Sequence, residues 1–285
     1  MYVVVDIGGT KARVAGSSDL VELSEAVILK TPCDYRDALE LLRAAALKAA
    51  AGDRIFAVVI GAPGVLSRDK RILVNAPNLP IWNGATLADD VEASLGAPVL
   101  LENDTALVGL GEATAGAGQG SAILAYVTIS TGVNGARIVD GKIDRATYGF
   151  EIGEQYIDAG ARNFEELVSG SAIARRFGVE PRALGAHHPV WDELAATTAR
   201  ALHNTIAHWS PDRIVMGGAM MSEIGISIDR VSAHLRALPR KNPSLPDVVH
   251  AKLGDYGGLW GALARLRQED LSKLPPTAGP SSGLG

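Results

Sequence analysis

The chain has 285 residues, and what it lacks excludes several classes at once. It has one cysteine, Cys33, so no disulfide can form within it, and such usage fits a reducing compartment. No apolar run approaches the roughly 20 residues that cross a bilayer, and no basic flank precedes the first one, at residues 2–5. Neither a spanning helix nor a signal peptide is expected, and a cytoplasmic location is the default. Positive charge is in deficit: Lys and Arg total 27 against 32 Asp and Glu, a net of −5, and no basic segment stands out. Nucleic acid and membrane are therefore not expected partners. The six histidines form no metal set, since His187 and His188 adjoin a proline while His203 and His208 point apart on one helix. Trp82, Trp191, Trp209 and Trp260 read as packing residues. Neither GxGxxG nor GxxxxGK[ST] occurs at the N-terminal glycine loop, which weakens both common nucleotide folds.

What is present is core. With 47% hydrophobic and 21% charged residues the chain is globular by composition, and its length suggests two domains at roughly 150 residues each. The opening MYVVVDIGGTKARVAG reads as strand, glycine turn, strand, and continues through a turn at 16–19 to a third apolar stretch at 20–29. This is an antiparallel meander, whereas a Rossmann or P-loop unit needs a helix directly after its loop. A helix is expected at 37–51, with an acidic start and Gly52 at its end. A buried strand at 55–60 leads to a turn cluster at 61–64. After a long loop, Thr86 caps a helix running to Ser94, and a strand at 99–101 meets a helix from about Asp104. Further strands are expected at 121–129, 213–216 and 248–253, with helices at 163–177, 190–209 and 228–238 and in GGLWGALARL. The tail from Ser272 is rich in Pro, Gly and Ser and is expected to be disordered. Shifted by 124 residues, Gly8, Ala12, Arg13 and Val14 fall on Gly132, Ala136, Arg137 and Ile138, a faint repeat with the spacing of a duplicated two-lobed fold.

Each candidate site has two readings. The glycine turns, with Thr10 and Thr131 at hand, clamp a polyphosphate from two sides or are structural hairpins; glycine lets backbone N–H groups approach an anion. The paired occurrence, with Asp6 at the first strand end, favours the clamp. Asp6 is either a turn acid or a carboxylate that holds Mg²⁺ through water, an ion that takes few protein ligands. Lys11 faces phosphate or is simply solvated. Asp104, beside Asn103, is a helix cap or a general base that takes a proton from a substrate hydroxyl. Glu151, Glu154 and Glu165 are surface acids or fixed acceptors for a polyol.

The ordered set VVVDIGGTK, APG with NAPNLPIW, LENDTALVGLGEA, ISTGVNGARIVDGKI, FEIGEQ, FEELVSGSAI and IVMGGAM resembles the ROK (repressor, open reading frame, kinase) family of bacterial sugar kinases in the actin-like ATPase superfamily, to about residue 266. The resemblance implies an α/β, actin-like (ribonuclease H-like) two-lobed fold with a duplicated βββαβα core, where Mg-ATP meets a hexose in a central cleft. It implies a smaller lobe of residues 1–115 completed by a helix at 255–268, a larger lobe at 116–254 and a tail at 272–285. It makes Asp104 the catalytic base, Asn103 a sugar ligand, and Gly64 and Asn78 parts of sugar-facing loops. Glu151 matches the family's Glu-x-Gly-His glutamate and Glu165 the glutamate before Ser-Gly, both sugar-hydroxyl ligands. Gly8, Gly9, Thr10, Lys11, Thr131 and Gly132 fall in the phosphate turns, and Gly217 and Gly218 match the adenosine loop.

Three departures accompany the resemblance. Glu154 replaces the family's histidine in the sugar pocket, and the cysteine-rich zinc loop is missing between Tyr156 and Asn163. No structural zinc is then expected, and packing must hold the shortened loop. Asn134 stands where glycine is usual, and with the first strand at residue 2 no helix-turn-helix is expected before it. The family analogy implies a homodimer. The function so implied is an ATP-dependent, glucokinase-like transfer to a 6-hydroxyl, with N-acetylhexosamine or fructose as alternative acceptors and a non-catalytic sugar-binding regulator as the rival.

Overall fold

Runs of buried Val and Ile build the first sheet, and both of its faces carry apolar packing, Val3 and Val5 on one and Val4 and Val59 on the other. The computed structural model describes residues 1–158, 160–241 and 244–270; the Pro/Gly/Ser-rich tail at 272–285 lies outside them. The chain folds as two compact units: Met1–Gly111 with Arg145–Gly149 and the segment from Asp255, and Glu112–Asp144 with Phe150–Gly254.

In the first unit, β1 (Tyr2–Ile7), β2 (Lys11–Ser17) and β3 (Val27–Lys30) form the antiparallel meander. The third strand is shorter than expected, because Asp19 accepts the N–H groups of Val21 and Glu22 and Leu20 turns at φ +61°. Helix α1 (Tyr35–Ala50) starts earlier than expected, since the carboxylate of Asp34 caps it by accepting from Arg36 and Asp37. β4 (Ala57–Ala62) absorbs half of the expected turn cluster. The long loop after it contains a small hairpin, β5 (Val65–Leu66) and β6 (Leu73–Asn75). Thr86 precedes α2 (Leu87–Leu95), but its hydroxyl donates to Asp90 and caps no backbone group. β7 (Val99–Asn103) then runs straight into α3 (Asp104–Ala115).

In the second unit, β8 (Ile123–Ile129), β9 (Val133–Val139) and β10 (Lys142–Ile143) repeat the meander. The helix expected at 163–177 is two, α4 (Phe164–Val168) and α5 (Gly170–Phe177), broken at Ser169, whose hydroxyl accepts the N–H of Ala172. α6 (Val190–Trp209), β11 (Arg213–Gly217), α7 (Ile228–Ala237) and β12 (Asp247–His250) complete it, and α8 (Gly257–Gln268) returns to the first unit. The loop shortened between Tyr156 and Asn163 is held by packing, as expected, through Ile157 against the core, and by polar groups as well. Asp158 accepts from Gly160 and Arg162 N–H and from the Arg162 guanidinium, and Tyr156 bridges to Asn163.

The sheet orders are β3-β2-β1-β4-β7 and β10-β9-β8-β11-β12, so the duplication is real in topology. The residue equivalence differs from the one expected. The last parallel pairs, Asp6 with Gly61 and Thr128 with Gly217, set Thr128 in the place of Asp6, an offset of 122 rather than 124. The second turn is one residue shorter, which shifts every match beyond it.

On the first sheet, Val3, Val5, Ile7, Val58, Ile60, Val99 and Leu101 join α1 and α2 in one buried cluster. Strand alternation turns Asp6, Gly61 and Glu102 to the opposite face, against α3 and α8. Among the described residues, no helix is long and apolar enough to cross a membrane.

Glu112, wholly buried, has a clear structural task. Its carboxylate accepts the N–H of Ala117 at 2.8 Å and those of Lys252 and Leu253 at 2.9 and 2.8 Å. Those two bonds also explain why β12 stops at His250 instead of running to 253. An amide offers one acceptor oxygen, so Glu112→Gln strips at least one buried N–H of its partner, a loss of about 2 kcal/mol. Thermal unfolding should shift down by roughly 4–8 °C. An unshifted midpoint would refute this role.

Candidate active site

β1 ends at Asp6 and Ile7, and the four residues before Ala12 make the first glycine turn. The Gly8 N–H is spent on the Lys11 carbonyl, and Thr31 fastens the turn by donating its hydroxyl to Gly8 O and its N–H to Thr10 O. Among the described residues, the N–H groups of Gly9 and Thr10 donate to no protein acceptor, so this turn retains donors for an anion. Lys11 is exposed at its rim, and Gly9 packs against Asn78. Asn78 therefore meets the phosphate-type turn through contact rather than through sequence.

The Asn103–Asp104 pair resolves one alternative. Asn103 caps α3: its Oδ1 accepts the N–H of Ala106 at 3.0 Å, while its Nδ2 donates to the Gly64 carbonyl at 3.0 Å. Asp104 is thus not the helix cap. One N–H of Asn103 remains as a donor for a ligand. Gly64 itself has φ +93°, and a Cβ there would lie 2.1 Å from the Asn75 carbonyl oxygen, so only glycine fits. Asp104 Oδ1 accepts the Thr105 N–H at 2.6 Å and its hydroxyl at 3.3 Å, which orients the carboxyl group. Burial raises its pKa above the usual carboxylate range, and the Thr105 bonds oppose that rise.

Asp6 lies under the first turn of α8. A Cβ on Gly258 would come within 2.5 Å of its carboxyl carbon, so this glycine is what lets the helix seat there. Burial raises Asp6 to about 7, the Asp104 charge adds to the rise, and the Arg13 guanidinium opposes it. A carboxylate so placed gains strongly from a cation. With phosphate oxygens and waters completing the shell, one such carboxylate suffices for Mg²⁺. Among the described residues, no three His, Cys, Asp or Glu side chains gather as a closed metal cage.

In the second unit the candidates converge on the end of β8. Ser130 and Thr131 carbonyls accept the N–H groups of Gly170 and Ser171 at the start of α5. Glu165 Oε2 accepts the Val133 N–H at 2.7 Å, beside Gly132. Glu165 thus braces the second turn with one carboxylate oxygen. Asn134, in place of the usual glycine, sits in β9 and accepts the N–H of Gly135. Glu151 and Glu154 are exposed at either end of the short helical turn Ile152–Glu154, whose Gly153 lies against the Val133 carbonyl. Gly217 ends β11, and Gly218 lies against the Ile129 backbone.

Sequence reasoning missed Gly258, Gly61, Thr105 and the Ser169–Gly170 corner. GGLWG was visible as a glycine-rich helix start, but nothing local connects it to Asp6 some 250 residues away.

Comparison with known proteins bears on the family and the fold. The ROK family model matches residues 2–269. A glucokinase of Streptomyces coelicolor is 27% identical over 93% of this chain and 97% of its own. Among solved structures, a ROK family glucokinase from Streptomyces griseus, in complex with glucose and AMPPNP, superposes with a TM-score of 0.79 at 26% identity, covering 94% of this chain and 99% of that one. A ROK hexokinase from Thermus thermophilus gives 0.79 at 26%, with 93% and 98% covered. The fold is the actin-like, two-lobed one.

The position of Asp6 has a measurable cost. Its pKa of about 7 against the ordinary 3.8 means that the folded state binds this proton more tightly than the unfolded chain does. The associated stability is complete below about pH 4 and is lost as pH rises through 7. Metal-free Asp6→Asn protein should therefore gain on its parent by roughly 5–10 °C in unfolding midpoint between pH 4 and pH 8. A midpoint difference that stays constant with pH would contradict the burial of this charge.

Proposed function

The chain belongs to the ROK family, and from that premise we propose that it is an ATP-dependent hexose kinase acting on the 6-hydroxyl of a free sugar, glucose or a near relative. The observation that carries this reading is the division of labour at β7–α3. Asn103 does the capping, and a buried, oriented Asp104 is left for proton transfer. In the proposed step the 6-oxygen attacks the γ-phosphorus in line, the bond to the β-bridging oxygen breaks, and the hydroxyl proton passes to Asp104. A raised carboxyl pKa makes the Asp104 carboxylate a stronger proton acceptor than an ordinary one.

The other assignments rest on the motifs that match the family's. Gly8, Gly9, Thr10, Lys11, Thr131 and Gly132 receive the phosphates, and Gly217 and Gly218 the adenosine. Gly64, Asn78, Asn103, Glu151, Glu154 and Glu165 hold the sugar. Asp6 holds Mg²⁺ through water; when bound, the ion neutralises charge on the transferring phosphoryl group. Of the three glutamates, Glu165 is the one held in place by a backbone group, the Val133 N–H, and its carboxylate keeps further lone pairs for a sugar hydroxyl. Glu154, in place of the family's histidine, adds a carboxylate where sugar choice is made. This favours a hydroxyl-rich acceptor such as glucose over an N-acetylated one, because an ionised carboxylate accepts but cannot donate.

ADP release measured across glucose, fructose, N-acetylglucosamine and N-acetylmannosamine tests the proposal, with glucose expected to give the highest kcat/KM. Sugar binding without turnover on any member would support a regulator instead. Asp104→Asn should lower kcat by on the order of 10²–10⁴ while sugar binding persists. Near-parental turnover in that variant would remove Asp104 from the role of base.

A further inference from the structure

The turn at 67–72, which joins β5 to β6, is fastened on both flanks. Within it, Ser67 Oγ accepts the N–H groups of Arg71 and Ile72 and donates to Asp69. Arg71 anchors one flank: its guanidinium reaches Asp89 and Glu92 on α2 and the Val99 carbonyl. On the other flank stands Lys70, with φ +54°, a left-handed conformation that a lysine adopts at some cost. Its ammonium donates to both oxygens of Glu102, at 2.5 and 2.7 Å. The Glu102 side chain is 7% exposed and has Arg265 Nε of α8 at 3.7 Å.

An exposed ion pair contributes little, because solvent screens it and two long side chains must be ordered. This pair is different, since one partner is buried and both of its oxygens are engaged. Its location also matters. Glu102 immediately precedes Asn103 and Asp104, and Asn103 donates to Gly64, the residue from which the hairpin departs. The hairpin that leads on to Asn78 is thus tied to the end of β7 twice, once by a neutral hydrogen bond and once by an ion pair.

We propose that Lys70 and Glu102 form a positioning pair for phosphoryl transfer, fixing the sugar-facing segment at 64–78 against the strand that carries Asp104. The inference rests on the kinase reading above. Among the described residues, neither side chain forms a hydrogen bond or ion pair with Asp104 or with the first glycine turn. They act by holding the hairpin in place, and an in-line transfer is sensitive to displacements of about 1 Å.

Steady-state kinetics of Lys70→Met, Glu102→Gln, the double variant and Lys70→Arg test the pair, using the best acceptor from the sugar panel. Lys70→Met should raise KM for sugar about tenfold and lower kcat severalfold, with KM for ATP within about twofold of the parent. Lys70→Arg should restore most of the loss, and the double variant should be no worse than the poorer single, as for two residues acting as one unit. The pH profile of kcat should keep the parental shape, because burial and Thr105, not this pair, govern Asp104. A parental sugar KM in Lys70→Met, equal rises in both KM values, or failure of arginine to rescue would each overturn the proposal. If the parent turns over no sugar, the kinase reading fails by itself. Calorimetric sugar affinity of parent and Lys70→Met then decides the pair: a tenfold loss supports it, and an unchanged affinity overturns it.

Discussion

The side chain of Asn103 makes two hydrogen bonds at once, and the first unit's candidate site depends on them. One bond starts α3 by satisfying the Ala106 N–H, and the other holds the Gly64 carbonyl. An aspartate at this position could cap the helix but could not donate to Gly64, because an ionised carboxylate only accepts. The amide therefore sets the helix start, and with it the direction of Asp104, while also holding the turn from which the β5–β6 hairpin departs. Loss of either bond would leave a partly buried polar group unpaired.

Around that amide the protein keeps an unusual amount of charge beneath a helix. Asp6 and Glu102 share the sheet face on which α8 packs, and Asp104 lies at the adjoining start of α3. Each carboxylate is managed differently. Glu102 is paired with Lys70 and flanked by Arg265, Asp104 is bonded to Thr105, and Asp6 has Arg13 as its opposing charge. The opposite face, built from Val3, Val5, Ile7, Val58 and Ile60 with α1 and α2, is fully apolar and supplies the stability that such burial costs. The polar groups thus share their face of the sheet with apolar packing from Val4, Val59, Leu107 and Leu259, while the other face is apolar.

The second unit repeats the topology without repeating the chemistry. Thr128 stands where Asp6 stands in the first, and a turn one residue shorter follows it. That turn is braced from outside, by Glu165 and by the backbone of α5, whereas the first is braced by Thr31. Duplication preserved strand order, because strand order is set by hydrophobic alternation and short connections. The turn residues were free to diverge, since each turn needs only some set of partners for its backbone groups.

Local sequence was sufficient where the physics is local. The meander, the helix at 190–209, the strand entering Asp104 and the glycine turns follow from periodicity, β-branched runs and turn residues. The ordered motifs further pointed to the family, which the match over residues 2–269 bears out. Element ends were less legible where a distant side chain decided them: β12 stops because Glu112 takes the next N–H groups, and the third strand shortens because Asp19 ties its approach. The neighbours that give the site its properties were not legible at all. Gly258 against Asp6, Lys70 against Glu102 and Gly9 against Asn78 join segments far apart in the chain. Pattern along a chain reports which face of an element is apolar, so it gave the elements and a faint repeat, while the two-lobed class and the role of Asp104 came from the ordered motifs that resemble the family. The burial that raises the pKa values of Asp6 and Asp104, and the partners that orient them, exist only once remote segments exclude water from the same place.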